Sequence, residues 1–415
     1  IDSTVGDSQA ETLDQEMQVI FAVSVVIIVL VLGLTSHSFA EVPVLLLTFG
    51  AAALLNMGTN FLLGEISFVS DSVTVVLQLA LAIDYAIILL HRFLEARQHT
   101  LDDRSACITA LSAAIPAIFS SSLTTISGLA AMMFMQFRIG FDMGLVLAKG
   151  IICSLLAVVF FMPAMILKFA KWNDKTRHRS FLPNFTPLGK LVYKVRYVVL
   201  ALVIVLTPPA YVAQGMNDFL FGNDAVGSSE GTKVYEDDQE IVAKFGRSNM
   251  LLAIYPNTSN VTEKELTDEL EDLPYVKSVT SMAGTLPEGV PEDIIPYSTA
   301  KLLHRGDTAR MLIYIRTKGE SDASFEYTDQ IREIVKKYYP DNSYLVGETP
   351  STQDIKTTII ADNARVNVLT LLGVFIVVMF SFKSALIPII VMIPIEVAIY
   401  FNMAMPYIQG VDMIY

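Results

Sequence analysis

The chain of 415 residues is 53% hydrophobic and only 17% charged, with a net charge of −13 and a mean hydropathy of +0.51. Soluble domains carry about 25% charged residues. Length alone would suggest about three soluble domains, but the composition and several uninterrupted apolar runs exclude that and indicate a polytopic α-helical membrane protein.

The chain begins at Ile1 without an initiator Met or a signal-peptide pattern, and it ends at Tyr415 as another apolar run starts. A piece of a longer protein is expected. Residues 1–16 are polar and acidic. Apolar runs then predict spans at about Gln18–Thr35, Pro43–Leu63, Val73–Arg92, Ala110–Met135 and Phe141–Leu167. The only two cysteines, Cys107 and Cys153, lie in or beside these runs, so neither a disulfide framework nor metal-ligand spacing is expected.

From Lys168 to Arg196 the chain carries eight Lys or Arg against the single acid Asp174, a net +7. Short basic loops between spans stay cytoplasmic. The same charge could mark a nucleic-acid patch, but the loop adjoins two spans and its aromatics follow no interleaved period, so a nucleic-acid partner is set aside. The sixth span, Tyr197–Ala213, then leads out of the cytoplasm. Residues 214–358 hold 25 acids against 14 Lys or Arg, a net −11, and fit a domain on the outer side.

Inside that region the apolar period alternates between 2 and 3.6. A strand at Ser248–Tyr255, a helix at Thr262–Leu273 opened by the capping pattern Thr262–Glu265, and a strand at Tyr275–Met282 are predicted. After an insert with Pro287, Pro291 and Pro296 the order recurs as a strand at Ala309–Thr317, a helix at Ser324–Tyr339 and a strand at Ser343–Gly347. The order βαββαβ is the ferredoxin-like pattern, a scaffold that names no function. The glycosylation triplets at Asn257 and Asn260 matter only in a secretory pathway.

The seventh and eighth spans, Ala361–Phe380 and Leu386–Met403, repeat the start of the chain. VGDSQAETLD at Val5–Asp14 matches VGETPSTQD at Val346–Asp354, and SFAEVPVLLL with Pro43 matches KSALIPIIVM with Pro388. Repeated halves are a transporter signature, because one bundle can rock against its relative around a site between them. The counterpart of Asp84 would fall at about position 429, beyond Tyr415.

Chemistry concentrates in the third span, LQLALAIDYAIILLHRF at Leu77–Phe93, where Asp84 and Tyr85 interrupt an apolar helix. An Asp at the centre of a membrane helix costs about 2.5–3.5 kcal/mol on insertion scales, so it is expected to face a bundle interior and find partners there, and its functional reading is a proton or ion relay. A buried polar clamp between helices is the other reading. On a helix the two side chains point about 100° apart, so each must meet a different neighbour. In the fourth span Ser120, Ser121, Ser122, Thr124, Thr125 and Ser127 supply hydroxyls that either solvate the relay, with Ser121, Thr124 and Thr125 nearest its centre, or let helices pack closely. Lys149, deep in the fifth span, must pair or snorkel, and Asp84 is its expected counter-charge. Glu396 in the eighth span is a candidate pore acid, and Asp71 an interfacial charge.

The Ala-x-x-x-Asp-Tyr at Ala80–Tyr85 resembles the Gly-x-x-x-Asp-Tyr motif of the mycobacterial membrane protein large family, within the resistance-nodulation-division superfamily. Asp142–Gly144 opening the fifth span and FMPAMIL closing it at Leu167 agree with that family, as do the large outer domain and the basic loop between halves. Ala80 departs from the family's Gly. The resemblance covers essentially the whole chain. It implies that residues 1–16 end a first porter domain, 17–168 form a five-span bundle similar to the sterol-sensing domain of relatives such as Patched, 169–196 form the cytoplasmic loop, 197–213 a span, 214–358 a second extracytoplasmic porter domain, and 359–415 the start of a second bundle. It further implies a proton-driven exporter of hydrophobic or amphipathic substrates such as lipids, in the cell membrane, with no cofactor beyond the proton gradient, with Asp84, Tyr85 and Lys149 as relay, and with homo-oligomerisation left open.

A lipid- or sterol-sensing protein without ion coupling is the alternative class. An intramembrane aspartyl protease would need two catalytic acids on facing spans and a Gly-x-Gly-Asp, which the sequence lacks, so no enzyme is expected.

Overall fold

The computed structural model describes residues 5–100, 102–178, 186–217, 219–221, 233–246, 248–285, 297–411 and 413–414. Among them are eight helical segments long and apolar enough to cross a membrane. Two compact units form: Ile1–Leu206 with Ala361–Ala398, and Thr207–Ile360 with Ile399–Tyr415.

In the first unit, α1 (Val5–Thr35), α2 (Glu41–Gly58), α3 (Phe68–Arg97), α4 (Asp103–Met132) and α5 (Arg138–Leu156) follow one another through short turns. A π-helical turn at Ala157–Phe161 joins α5 to α6 (Met162–Lys175), so the fifth span is one interrupted helix. Apolar side chains of α2, α3, α4 and α5 interlock around Phe49, Tyr85, Leu89, Phe93, Ile118 and Ile151. Small residues set the closest approach: a Cβ on Gly144 of α5 would stand 2.7 Å from the Leu129 carbonyl oxygen of α4. One end of the bundle is tied by charge. Arg97 grips Asp174 with two N–H donors at 2.7 and 2.8 Å and Asp103 at 2.7 Å, while the Ser38 hydroxyl meets that of Thr176 at 2.7 Å.

Helices outrun the apolar windows that announce them. α7 (Thr186–Gln214) starts within the stretch expected as a basic loop, and α13 (Glu348–Phe382) starts well before the seventh span. Lys, Arg, Glu and Gln are good helix formers, so an apolar run marks what can lie in lipid rather than where a helix ends. α13 is followed at once by α14 (Leu386–Gln409), as α1 is by α2, and in each second helix a proline, Pro43 or Pro388, takes the third position. A proline there removes an N–H that has no intrahelical partner.

The second unit holds β1 (Phe219–Leu220), α8 (Lys233–Phe245), β2 (Asn249–Pro256), α9 (Asn260–Glu271), β3 (Val276–Thr280), α10 (Met282–Thr285), α11 (Tyr297–Leu303), β4 (His304–Arg305), β5 (Thr308–Ile315), α12 (Asp322–Tyr338), β6 (Tyr344–Gly347) and, near the end of the chain, β7 (Met413–Ile414). The main sheet runs β3-β5-β2-β6, all neighbours antiparallel, with β4 paired to β5. β1 and β7 form a separate parallel pair.

Alternation decides the faces. Leu251, Ala253 and Tyr255 of β2 and Ala309, Met311, Ile313 and Ile315 of β5 point to one side, where Leu266 and Leu270 of α9 and Ile331 and Val335 of α12 cover them. The cap of α9 is Ser259, whose hydroxyl accepts the Thr262 N–H at 3.4 Å. Thr262 is therefore the third residue inside the helix, and the expected Thr262–Glu265 box does not form. The prolines of the insert, Pro287, Pro291 and Pro296, lie outside the described residues.

Met311 is fully buried at the centre of this core, so Met311→Ala is expected to destabilise the soluble region by about 2–5 kcal/mol, the cost of an unfilled cavity. Urea unfolding of residues 214–358 expressed alone measures it.

Candidate functional site

α3 divides the relay residues between two surroundings. Leu77, Ala80, Asp84 and His91 share one exposed face, at the three- and four-residue steps of a helix. Tyr85 lies on the opposite side, 2% exposed in the bundle core. Its hydroxyl donates to Thr125 Oγ1 at 3.3 Å, and Thr125 donates on to the Ser121 carbonyl at 3.2 Å. Thr124 bonds only back to the Ser120 carbonyl, at 2.9 Å. Asp84 has no hydrogen-bond or ion-pair partner among the described residues.

The α4 hydroxyls divide between two surroundings. Thr125 contacts the phenol. Ser127 and Gly128 instead form a packing surface against the membrane part of α13, where Gly128 faces the Thr370 methyl and a Cβ on Gly373 would run into the Ser127 hydroxyl.

Lys149 does not meet Asp84. Its ammonium donates to the Asn56 carbonyl at 2.8 Å and to Asn60 Oδ1. Depth accounts for this. α3 and α5 start at the same end of the bundle; Asp84 lies 16 residues past Phe68 and Lys149 only 11 past Arg138, about 24 and 16 Å at 1.5 Å per residue. The long lysine stem then carries the charge further toward the near end, where Asn60 also donates to Asp71 at 3.1 Å.

Beneath Lys149 is a polar network that the apolar pattern concealed. Gln78 accepts from Asn56 Nδ2 at 2.9 Å and directs its own amide to the Ala52 and Gly150 carbonyls, each at 3.1 Å, and to Ser154 Oγ at 3.2 Å. All three side chains are fully enclosed. Gly150 makes room for it, since a Cβ there would stand 3.0 Å from Asn56 Nδ2. Buried amides repay their desolvation only when bonded, and this set joins α2, α3 and α5 at one point.

Two buried acids were also missed. Asp362 of α13, 1% exposed, accepts the Gln136 and Phe137 N–H groups at 2.7 and 2.9 Å, in the turn that leads into α5. Glu41, at the start of α2, accepts the His37 N–H at 3.0 Å. Each sits next to an apolar run and reads as an interfacial charge until its partners are known. Glu396, ten residues into α14, is half-buried and has no side-chain partner among the described residues.

Eight helices long and apolar enough to cross a membrane, with a buried phenol and polar network among α2–α5, define a multi-pass protein of the cell membrane. The model of the MMPL family matches residues 2–192 and 259–413, and the chain belongs to that family. It is 26% identical over 255 residues to the Streptomyces coelicolor membrane protein SCO6666, covering 59% of this chain and 35% of that one. It is 28% identical over 219 residues to the siderophore exporter MmpL5 of Mycobacterium tuberculosis, covering 49% and 22%. The chain thus spans about a third or less of the length of these curated relatives. Among solved structures it resembles SecDF of Thermus thermophilus, with a TM-score of 0.53 at 14% identity over 95% of this chain and 47% of that one. SecDF in its super-membrane-facing form gives 0.54 at 14%, over 98% and 48%. At that identity the likeness is one of fold.

Proposed function

We propose that this chain is part of a resistance-nodulation-division transporter that uses the proton gradient to export a hydrophobic or amphipathic substrate, such as a lipid. The observation that carries this reading is Asp84, an unpartnered carboxylate at mid-span whose neighbour Tyr85 is hydrogen-bonded into the core. A structural clamp would be bonded, whereas a carboxylate with no fixed partner is available to a facing bundle. Membership of the MMPL family, and a relative described as a siderophore exporter, support transport. The sheet order β3-β5-β2-β6 with two helices on one face supports a ferredoxin-like porter domain, and the basic stretch 168–196 on the other side of the sixth span supports its outer location.

Full-length protein in proteoliposomes tests this directly. Substrate movement should stop when a protonophore collapses the pH gradient. Undiminished movement without a gradient would remove proton coupling. A second reading, a lipid sensor, draws on an apolar groove of about 610 Å3 beside the π-helical turn, lined by Leu54, Leu55, Phe160 and Phe161; it predicts lipid binding with no flux.

The topology makes its own prediction. With Cys107 and Cys153 replaced, a membrane-impermeant thiol reagent applied to intact cells should label Asp341→Cys and leave Lys175→Cys untouched, both positions being exposed. The opposite pattern would invert the orientation.

A further inference from the structure

At the end of the first bundle where α5 begins, a cavity of about 270 Å3 opens between that helix and the turn at 63–66. Leu63, Ile66, Phe141 and Val146 form an apolar wall, and Glu65, Arg138 and Asp142 supply charge. The guanidinium and the two carboxylates line one small space, yet none of the three side chains forms an ion pair or hydrogen bond among the described residues. A guanidinium fork fits a carboxylate or a phosphate well, and here residues of both signs line one space without pairing with each other.

We propose that this cavity binds the zwitterionic headgroup of an amphipathic molecule, its ammonium against Glu65 and Asp142 and its phosphate or carboxylate on Arg138. The size agrees, being below the roughly 300–1,000 Å3 that encloses a drug-sized ligand and sufficient for a headgroup. The apolar wall receives the first carbons of the tail. With two acids to one base the site carries a net negative charge, so an anionic headgroup without an amine is repelled. As a substrate site it rests on the export reading above; as a binding site it stands by itself.

Binding is measured on purified full-length protein in non-ionic detergent, with fluorescent lysophosphatidylethanolamine against lysophosphatidylglycerol. The zwitterion should bind at least about tenfold more tightly, and Arg138→Gln or Asp142→Asn should each weaken it roughly 10- to 100-fold, the worth of one charged hydrogen bond. Glu65→Gln, at an exposed turn residue that leaves folding intact, should do the same. Equal binding of the two lysolipids by the unaltered protein, or unchanged affinity in Glu65→Gln and Arg138→Gln, overturns the proposal. Asp84→Asn should keep the preference. Normal gradient-driven transport in that variant would sink the export reading and leave this site standing.

Discussion

Asp84→Asn in the full-length protein should lower gradient-driven transport by about 10²-fold or more, the scale on which loss of a proton-transferring group is felt, while expression and thermal stability stay at wild-type values. The amide keeps the shape of the carboxylate and loses its titration. Stability should not change, because Asp84 is exposed on α3 and has no partner among the described residues that the substitution could strand. Tyr85→Phe is the informative contrast. It removes the bond to Thr125 from a buried phenol, which costs about 1 kcal/mol, and should slow transport without abolishing it. A packing role for Asp84 predicts the reverse order, with stability lost and flux preserved. Measuring flux and melting temperature on the same preparations separates the two.

What the sequence reveals here is governed by charge and period. Asp84 stands out because a carboxylate interrupts an apolar run, and the strands of the main sheet stand out because Leu251, Ala253 and Tyr255 alternate with less buried neighbours. Asn56, Gln78 and Ser154 do not interrupt anything. An uncharged amide or hydroxyl carries no charge to mark it in an apolar run, and their partners come from three helices far apart in sequence. Only the packing brings them together. The same limit applies to Asp362, which looks like the charged end of a span and holds the turn before a helix more than two hundred residues earlier. The expected Lys149–Asp84 pair is absent for a related reason. An apolar run does not show how two spans are registered, and the register of α5 against α3 puts the lysine nearer one end, an offset that its long side chain extends.

That register yields a second quantitative expectation. Lys149→Ala should destabilise the bundle by about 1–3 kcal/mol, because it strips a charged donor from the Asn56 carbonyl and from Asn60. The effect should be non-additive with Asn60→Ala, with a coupling of about 0.5–3 kcal/mol as for residues in direct contact. With Asp84→Asn it should be additive within about 0.5 kcal/mol, since the two side chains share no partner, and Asp84→Asn should not restore function to Lys149→Ala. Gly150→Ala is a third probe of the same place. Its Cβ would press on Asn56 Nδ2, so it should reproduce the Lys149→Ala loss without touching any charge. Denaturation midpoints of the single and double variants in one detergent give all the couplings. A coupling above about 1 kcal/mol between Lys149 and Asp84, or recovery of transport in the double variant, would place the two charges in contact during the cycle and return the lysine to the relay. Coupling confined to Asn60 and Asn56 makes Lys149 the pin that holds the ends of α2 and α5, apart from Asp84 on its own face of α3.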